Sequence, residues 1–299
     1  MDPSSLRSER YEPHGPKLGF AHLESQEPPP EGLYQPPNEQ QIKLAEILPQ
    51  LIETDPKLDI KVDDYQAWCE LNWKKPQGTA ESSDRLKHKL QEESEELKKE
   101  FDLHPGQRSA EDIIGELGDV IWCANGVASN LSASVKHGLM MRFDAFGRGT
   151  RNFSDHSVPD WVRHMQLNSY EDNLDLSVVD RVIDLGYQPQ LATRMLFDGD
   201  SDPAELEIQN ALENLDFLVK DLLILLDINY SQDVYQTGSV YRSGEVELIV
   251  AQLYLDIAFM AKHGSNSSFQ DVVKKNILKL SDRVESNTID KTDGPRHTG

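Results

Sequence analysis

The sequence predicts an all-α protein. Apolar residues recur at three- and four-residue spacing through most of residues 39–285, helix-capping signals open several of those stretches, and strand-type alternation of Val, Ile and Thr is scarce. With 299 residues, one large or two smaller domains are expected.

Residues 1–38 hold half of the chain's 16 prolines, so they read as a disordered, Pro-rich arm. "NEQQIKLAEILPQLIE" then opens a first helix on an Asn cap, and "KVDDYQAWCELNW" forms a second with Asp63 and Asp64 near its start. "SSDRLKHKLQEESEELKKEF" is a third, capped by Ser82 or Ser83. "SAEDIIGELGDVIWCANGVASNL" is a fourth, beginning at Ser109 with acidic residues in its first turn. "SASVKHGLMMRF" is read as a fifth. "FGRGTRNFSDHSVPDW", rich in Gly, Ser, Asp and Pro, is read as a connection. Helical patterns resume in "DLSVVDRVIDLG", "PAELEIQNALENLDFLVKDLLILLD", "SGEVELIVAQLYLDIAFMAKHG" and "SFQDVVKKNILKLSDRV". The organisation expected is an arm (1–38), a first helical domain (39–150), a second (160–285) and a flexible tail (286–299).

Composition narrows the function. The 52 Asp and Glu outnumber 30 Lys and Arg, a net charge of −22. Nothing broad attracts a polyanion or an anionic bilayer, so neither nucleic acid nor membrane is the expected partner. A small phosphorylated ligand stays open, because a bound divalent cation inverts the local sign. The two cysteines, Cys69 and Cys123, give neither a disulfide framework nor a CxxC pattern. The first residues lack the apolar core of a signal peptide, and the longest apolar runs are too short or too interrupted to span a bilayer. A soluble, cytoplasmic protein is expected.

The third helix raises the chemical question, because Glu92, Glu93, Glu95 and Glu96 crowd into five residues. At about 100° per residue, Leu86, Leu90, Leu97 and Phe101 share one stripe. Glu93 falls inside that stripe, Glu96 and Glu100 flank it, Glu92 lies further round and Glu95 points away. A carboxylate at a core position calls for a partner, since ionised carboxylates are almost never buried unpaired. The fourth helix repeats the arrangement. Ile113, Leu117, Val120, Ala124, Val127 and Leu131 form its stripe, with Glu116 and Asp119 one turn apart along an edge. Gly115 and Gly118 beside them permit close approach of another backbone. Facing as an antiparallel hairpin, the two helices bring four carboxylates together, a hard-oxygen set suited to Mg²⁺ or Mn²⁺. For either acidic run taken alone, ordinary solvated charge is the commoner explanation. The matching second pair and the core register of Glu93 weigh against it.

"EESEE" followed by "ELGD" resembles the EExxE…ExxD signature of the MazG-like, all-α nucleoside triphosphate pyrophosphohydrolases. "DDYQAWCELNW" and "DIIGELGDVIWCANGVASNLSASV" extend the likeness over about residues 60–145. The resemblance implies a helical bundle completed by dimerisation, and hydrolysis of an NTP or dNTP to the monophosphate and pyrophosphate. It implies Glu93, Glu96, Glu116 and Asp119 as ligands for Mg²⁺ (or Mn²⁺), and Glu92 as a supporting or water-orienting base. Lys89, Lys98, Lys99 and Arg85 are candidate phosphate contacts, and Trp68, Trp73 or Tyr65 a candidate base-stacking surface; for each of these singly, solvated charge or core packing is the plainer reading. A binding module with the same bundle and no turnover is the alternative. Trp122 lies opposite its helix's apolar stripe, so a second buried face is expected there, against another protomer or the second half of the chain.

The second half reads as a degenerate copy of the first. A shift of 133 residues carries Leu117, Val120, Ala124 and Val127 onto Val250, Leu253, Ile257 and Met260, but Glu116 and Asp119 onto Ile249 and Gln252. "FQDVVKKNILKLSDR" resembles the family's terminal helix, with Asn276, Lys279 and Arg283 in its Asn…Lys…Arg run. Whether Lys279 or Arg283 reaches the first half's carboxylates is left open, as is a homodimer against an intrachain pseudo-dimer.

Overall fold

A computed structural model describes residues 37–73, 79–151, 174–187, 203–230 and 243–285; side chains are described within 37–73, 79–144, 174–187, 205–227 and 244–283. The proposed arm, apart from its last two residues, and the tail lie outside them. Every element below belongs to one compact unit within residues 32–299. The described helices of the two expected halves, 39–150 and 160–285, pack against one another.

Among the described residues there are nine α-helices and no β-strand, as an all-α class requires. They are α1 (Glu39–Thr54), α2 (Val62–Asn72), α3 (Ala80–Asp102), α4 (Ala110–Asn130), α5 (Val135–Arg151), α6 (Ser177–Asp184), α7 (Pro203–Tyr230), α8 (Ser243–Ser265) and α9 (Phe269–Glu285). Asn38 opens α1 with a capping box, its side chain accepting from the Gln40 and Gln41 amides while the Gln41 side chain accepts from its own. Ser109 caps α4 as expected. The cap of α3 is Thr79, not Ser82 or Ser83: its hydroxyl accepts from the Ser82 amide, and the Ser82 hydroxyl accepts instead from the Trp73 indole. α5 continues to Arg151, through part of the stretch read as a connection. Once a helix is nucleated each further residue adds a hydrogen bond, so its last turns tolerate the two glycines there.

Four helices form a closed ring, with α3 against α4, α4 against α8, α8 against α7 and α7 against α3. The stripe expected on α4 is buried along its length. The remaining packing is reciprocal. α5 follows the first hairpin yet packs on α8, and α9 follows the second hairpin yet packs on α4. α2 contacts α4 and α5, as α6 contacts α8 and α9. The starts of α2 and α6 meet in an antiparallel bridge between Lys61 and Asp175. Gln66 of α2 accepts the Val135 amide at the head of α5, and Asp180 of α6 accepts the Phe269 amide at the head of α9. Even the turns correspond: Ser132 after α4 and Asn266 after α8 both have φ of 53°.

Trp122 is half-buried on the side of α4 opposite its apolar stripe. It packs on Trp73 at the end of α2, with ring centroids 4.9 Å apart. No described helix is long and apolar enough to cross a membrane.

Candidate metal centre

The α3/α4 hairpin brings the two acidic pairs to one wall, and α9 supplies the opposite one. Together they enclose a cleft of about 270 Å³. Six carboxylates line it, Glu92, Glu93, Glu96, Glu100, Glu116 and Asp119, against Lys89, Lys99, Lys279 and Arg283. The volume lies just below the usual range for small-molecule sites and suits a phosphate tail better than a whole nucleotide.

Glu93, Glu116 and Asp119 converge most closely. One oxygen from each lies within 4.8 Å of the others. Octahedral Mg²⁺ with bonds of about 2.0–2.1 Å places its oxygens roughly 3–4 Å apart, so a modest contraction fits the set to one ion. Glu93 is 9% exposed and Asp119 6%. The Glu116 Oε2 atom is buried with no hydrogen-bond partner. An unpaired carboxylate oxygen in an acidic cluster has the chemistry of a cation ligand.

The electrostatics agree. Burial raises the Glu93 carboxyl to about 7, the Asp119 charge adds to the rise, and Lys89 opposes it. Burial raises Glu116 to about 7 as well, again helped by Asp119 and opposed by Lys279. Both groups therefore resist ionisation until a cation is present. Their folded values exceed the ordinary 4.5, so the stabilisation they contribute is complete below that pH and is lost as pH rises through 7. Without metal, unfolding midpoints should fall between pH 5 and pH 8 by the equivalent of about 1–3 kcal/mol from these groups. Thermal melts of the protein and of a Glu93→Gln/Glu116→Gln variant should show the loss in the former and a flatter profile in the latter. Millimolar Mg²⁺ should restore the parent protein at pH 8.

The other candidates separate by position. Glu96 lines the cleft but stands outside the converged triad. Glu92 is at the wall, bonded to Lys89 at 2.8 Å. Lys89 also approaches Glu93 at 3.7 Å. Lys99 lines the cleft, whereas Lys98 is turned away to Asp216 on α7. Arg85 lies over the Trp73 ring. Trp68 is 1% exposed and stacks on the buried Tyr65, and Trp73 is also buried. None of these three aromatic rings is on the cleft wall.

The terminal helix answers the question left open by the sequence. Asn276 donates to Asp119 Oδ1 at 3.0 Å, and Lys279 to Oδ2 at 2.5 Å. The Tyr65 hydroxyl completes this chain by donating to the Asn276 Oδ1 at 3.3 Å. Gly118 lets α9 in, since a Cβ there would meet the Asn276 Cβ at 2.9 Å. Glu100, which helix register puts only on the flank of the stripe, also lines the cleft, and the tie from Tyr65 to Asn276 has no local signal in the sequence.

Fold and site thus define an all-α protein with a buried acidic triad able to hold a metal ion. Compared with known proteins, the chain has no significant match to any family model, curated protein or solved structure.

Proposed function

We propose that this protein is a Mg²⁺-dependent nucleoside triphosphate pyrophosphohydrolase of the MazG-like type. The observation that carries the reading is the convergence of Glu93, Glu116 and Asp119, with an orphaned Glu116 oxygen, in a cleft faced by Lys279 and Arg283. Mg²⁺ held there would draw charge from the phosphate oxygens as the anhydride breaks. Lys89, Lys99, Lys279 and Arg283 receive the remaining phosphate charge. Glu92, at the rim, orients a water and takes its proton. The water oxygen bonds to phosphorus, the bridging P–O bond between the first and second phosphates breaks, and the monophosphate and pyrophosphate leave.

The second half acts as a worn copy of the first, so that one chain forms the two-sided bundle as an intrachain pseudo-dimer. The reciprocal packing and the matched turns at Ser132 and Asn266 support this. At the counterpart of Asp119, Gln252 donates to the Tyr187 hydroxyl and to Asp256, and Asp256 also accepts from Tyr187 and Asn214. A satisfied hydrogen-bond network there replaces a metal-ready cluster.

The test is pyrophosphate release from a panel of common NTPs and dNTPs with Mg²⁺. At least one nucleotide should yield equimolar monophosphate and pyrophosphate, with activity lost in EDTA. No cleavage of any nucleotide by the folded, metal-replete chain rejects the reading. Thermal stabilisation by nucleotide without product would point instead to a binding module.

A further inference from the structure

We propose that Lys279 is a resident counter-cation of the metal centre, holding Asp119 in the metal-free protein and moving to the phosphate tail when the metal enters. The inference rests on the metal-site reading of the acidic triad. Both oxygens of Asp119 are already in use, Oδ1 by the Asn276 amide and Oδ2 by the Lys279 ammonium. A divalent ion bound to Asp119 lies about 2 Å from its oxygen. An ammonium 2.5 Å from that same carboxylate is then strongly repelled. The neutral Asn276 amide feels no such charge repulsion and keeps Asp119 oriented.

Lys279 is also placed to move. Its side chain is 26% exposed against 8% for Asp119, so the lysine has water on one side while its anchor is buried. Its Nζ lies 3.9 Å from where a Cβ on Gly115 would sit, so no side chain of that residue crowds the ammonium. Lysine, a flexible stem with a point charge, suits exchange between a carboxylate and a phosphate better than a bidentate arginine would. The device reduces repulsion among the carboxylates before metal arrives and delivers a cation to the substrate afterwards.

The test uses the full chain and its Lys279→Met and Lys279→Arg variants, with Mn²⁺ alone as the first probe. Removing the competing ammonium should tighten Mn²⁺ binding about tenfold in Lys279→Met. Binding of an α,β-nonhydrolysable nucleoside triphosphate with saturating Mg²⁺ should weaken about tenfold or more, and Lys279→Arg should recover part of it. A merely structural lysine would weaken both ligands together. A second measurement needs no substitution: acylation of Lys279, read by mass spectrometry, should rise at least threefold when Mn²⁺ is added to the unaltered chain. If the parent chain binds Mn²⁺ but Lys279→Met binds it no tighter and Lys279 reactivity does not rise, the counter-cation role is overturned while the metal site stands. If the parent chain binds no Mn²⁺, the metal-site reading itself fails.

Discussion

Asp119→Asn is expected to abolish pyrophosphate release and to weaken Mn²⁺ binding by at least about a hundredfold, while the fold survives. Asparagine keeps the size of the side chain, and its carbonyl oxygen can still accept from Asn276. What it loses is the charge that both Lys279 and a metal ion require. It also removes the neighbour that raises the Glu93 and Glu116 carboxyls, so both groups should titrate lower than about 7. The metal-free variant should then melt no lower than the parent at pH 8, which separates a lost site from a lost fold. Glu95→Gln is the control for charge removal alone, because Glu95 is exposed on α3, beside the Glu93 that joins the triad, and lies outside the cleft. A variant that retained metal binding and turnover would place the chemistry elsewhere.

The acidic half of this site is legible in the sequence because it is local. Glu93 occupies a position that helix periodicity assigns to the core, and its 9% exposure follows from that register. Glu116 and Asp119 are one turn apart on the next helix, and a short connection makes the two helices antiparallel neighbours. Periodicity does not fix how far each side chain reaches. Glu96 shares the cleft but not the triad, which depends on rotamers rather than register. Of the basic groups, Lys89 and Lys99 share α3 with the acidic run and are legible with it, but the wall formed by Lys279 and Arg283 is not. Lys279 lies 160 residues from Asp119, and only the packing of α9 on α4 brings them together.

Aromatic residues show the same limit. A tryptophan's need for burial can be read from the sequence, but not its partner. The register of Trp122 asks for a second contact face, and the Trp73 ring supplies part of it while Trp122 stays half-buried. Trp68 and Tyr65 stack on each other in the core instead of facing the cleft. At helix ends, local competition decided the outcome. Ser82 has the chemistry of an N-cap, but its hydroxyl serves the Trp73 indole, and Thr79 three residues earlier takes the cap.

Gly138→Ala should be among the most destabilising single-methyl changes in the chain. The residue lies inside α5, where alanine would ordinarily favour the helix by about 1 kcal/mol. Here the added Cβ would sit 2.1 Å from the Glu247 carbonyl oxygen and 2.6 Å from its carbon, with the Ala251 Cβ at 3.2 Å. The obstacle is backbone of α8, which no rotamer change relieves, so α5 and α8 must separate. That separation strains two further contacts. The buried Glu247 carboxylate accepts the Ser134 amide at 3.0 Å and lies 2.6 Å from the His137 ring nitrogen. α8 also packs on α4, which carries Glu116 and Asp119, so the displacement reaches the element that carries half of the triad. The expected loss is about 3 kcal/mol or more, a fall in melting temperature of roughly 6–12 °C. Gly244→Ala, in the first turn of α8 with nothing near its Cβ position, should be neutral or slightly stabilising. Thermal melts of the two variants beside the parent decide the matter. Equal midpoints would mean that α5 does not hold α8 at this distance, and that the crossing of each half's terminal helix onto the other half is looser than the packing implies.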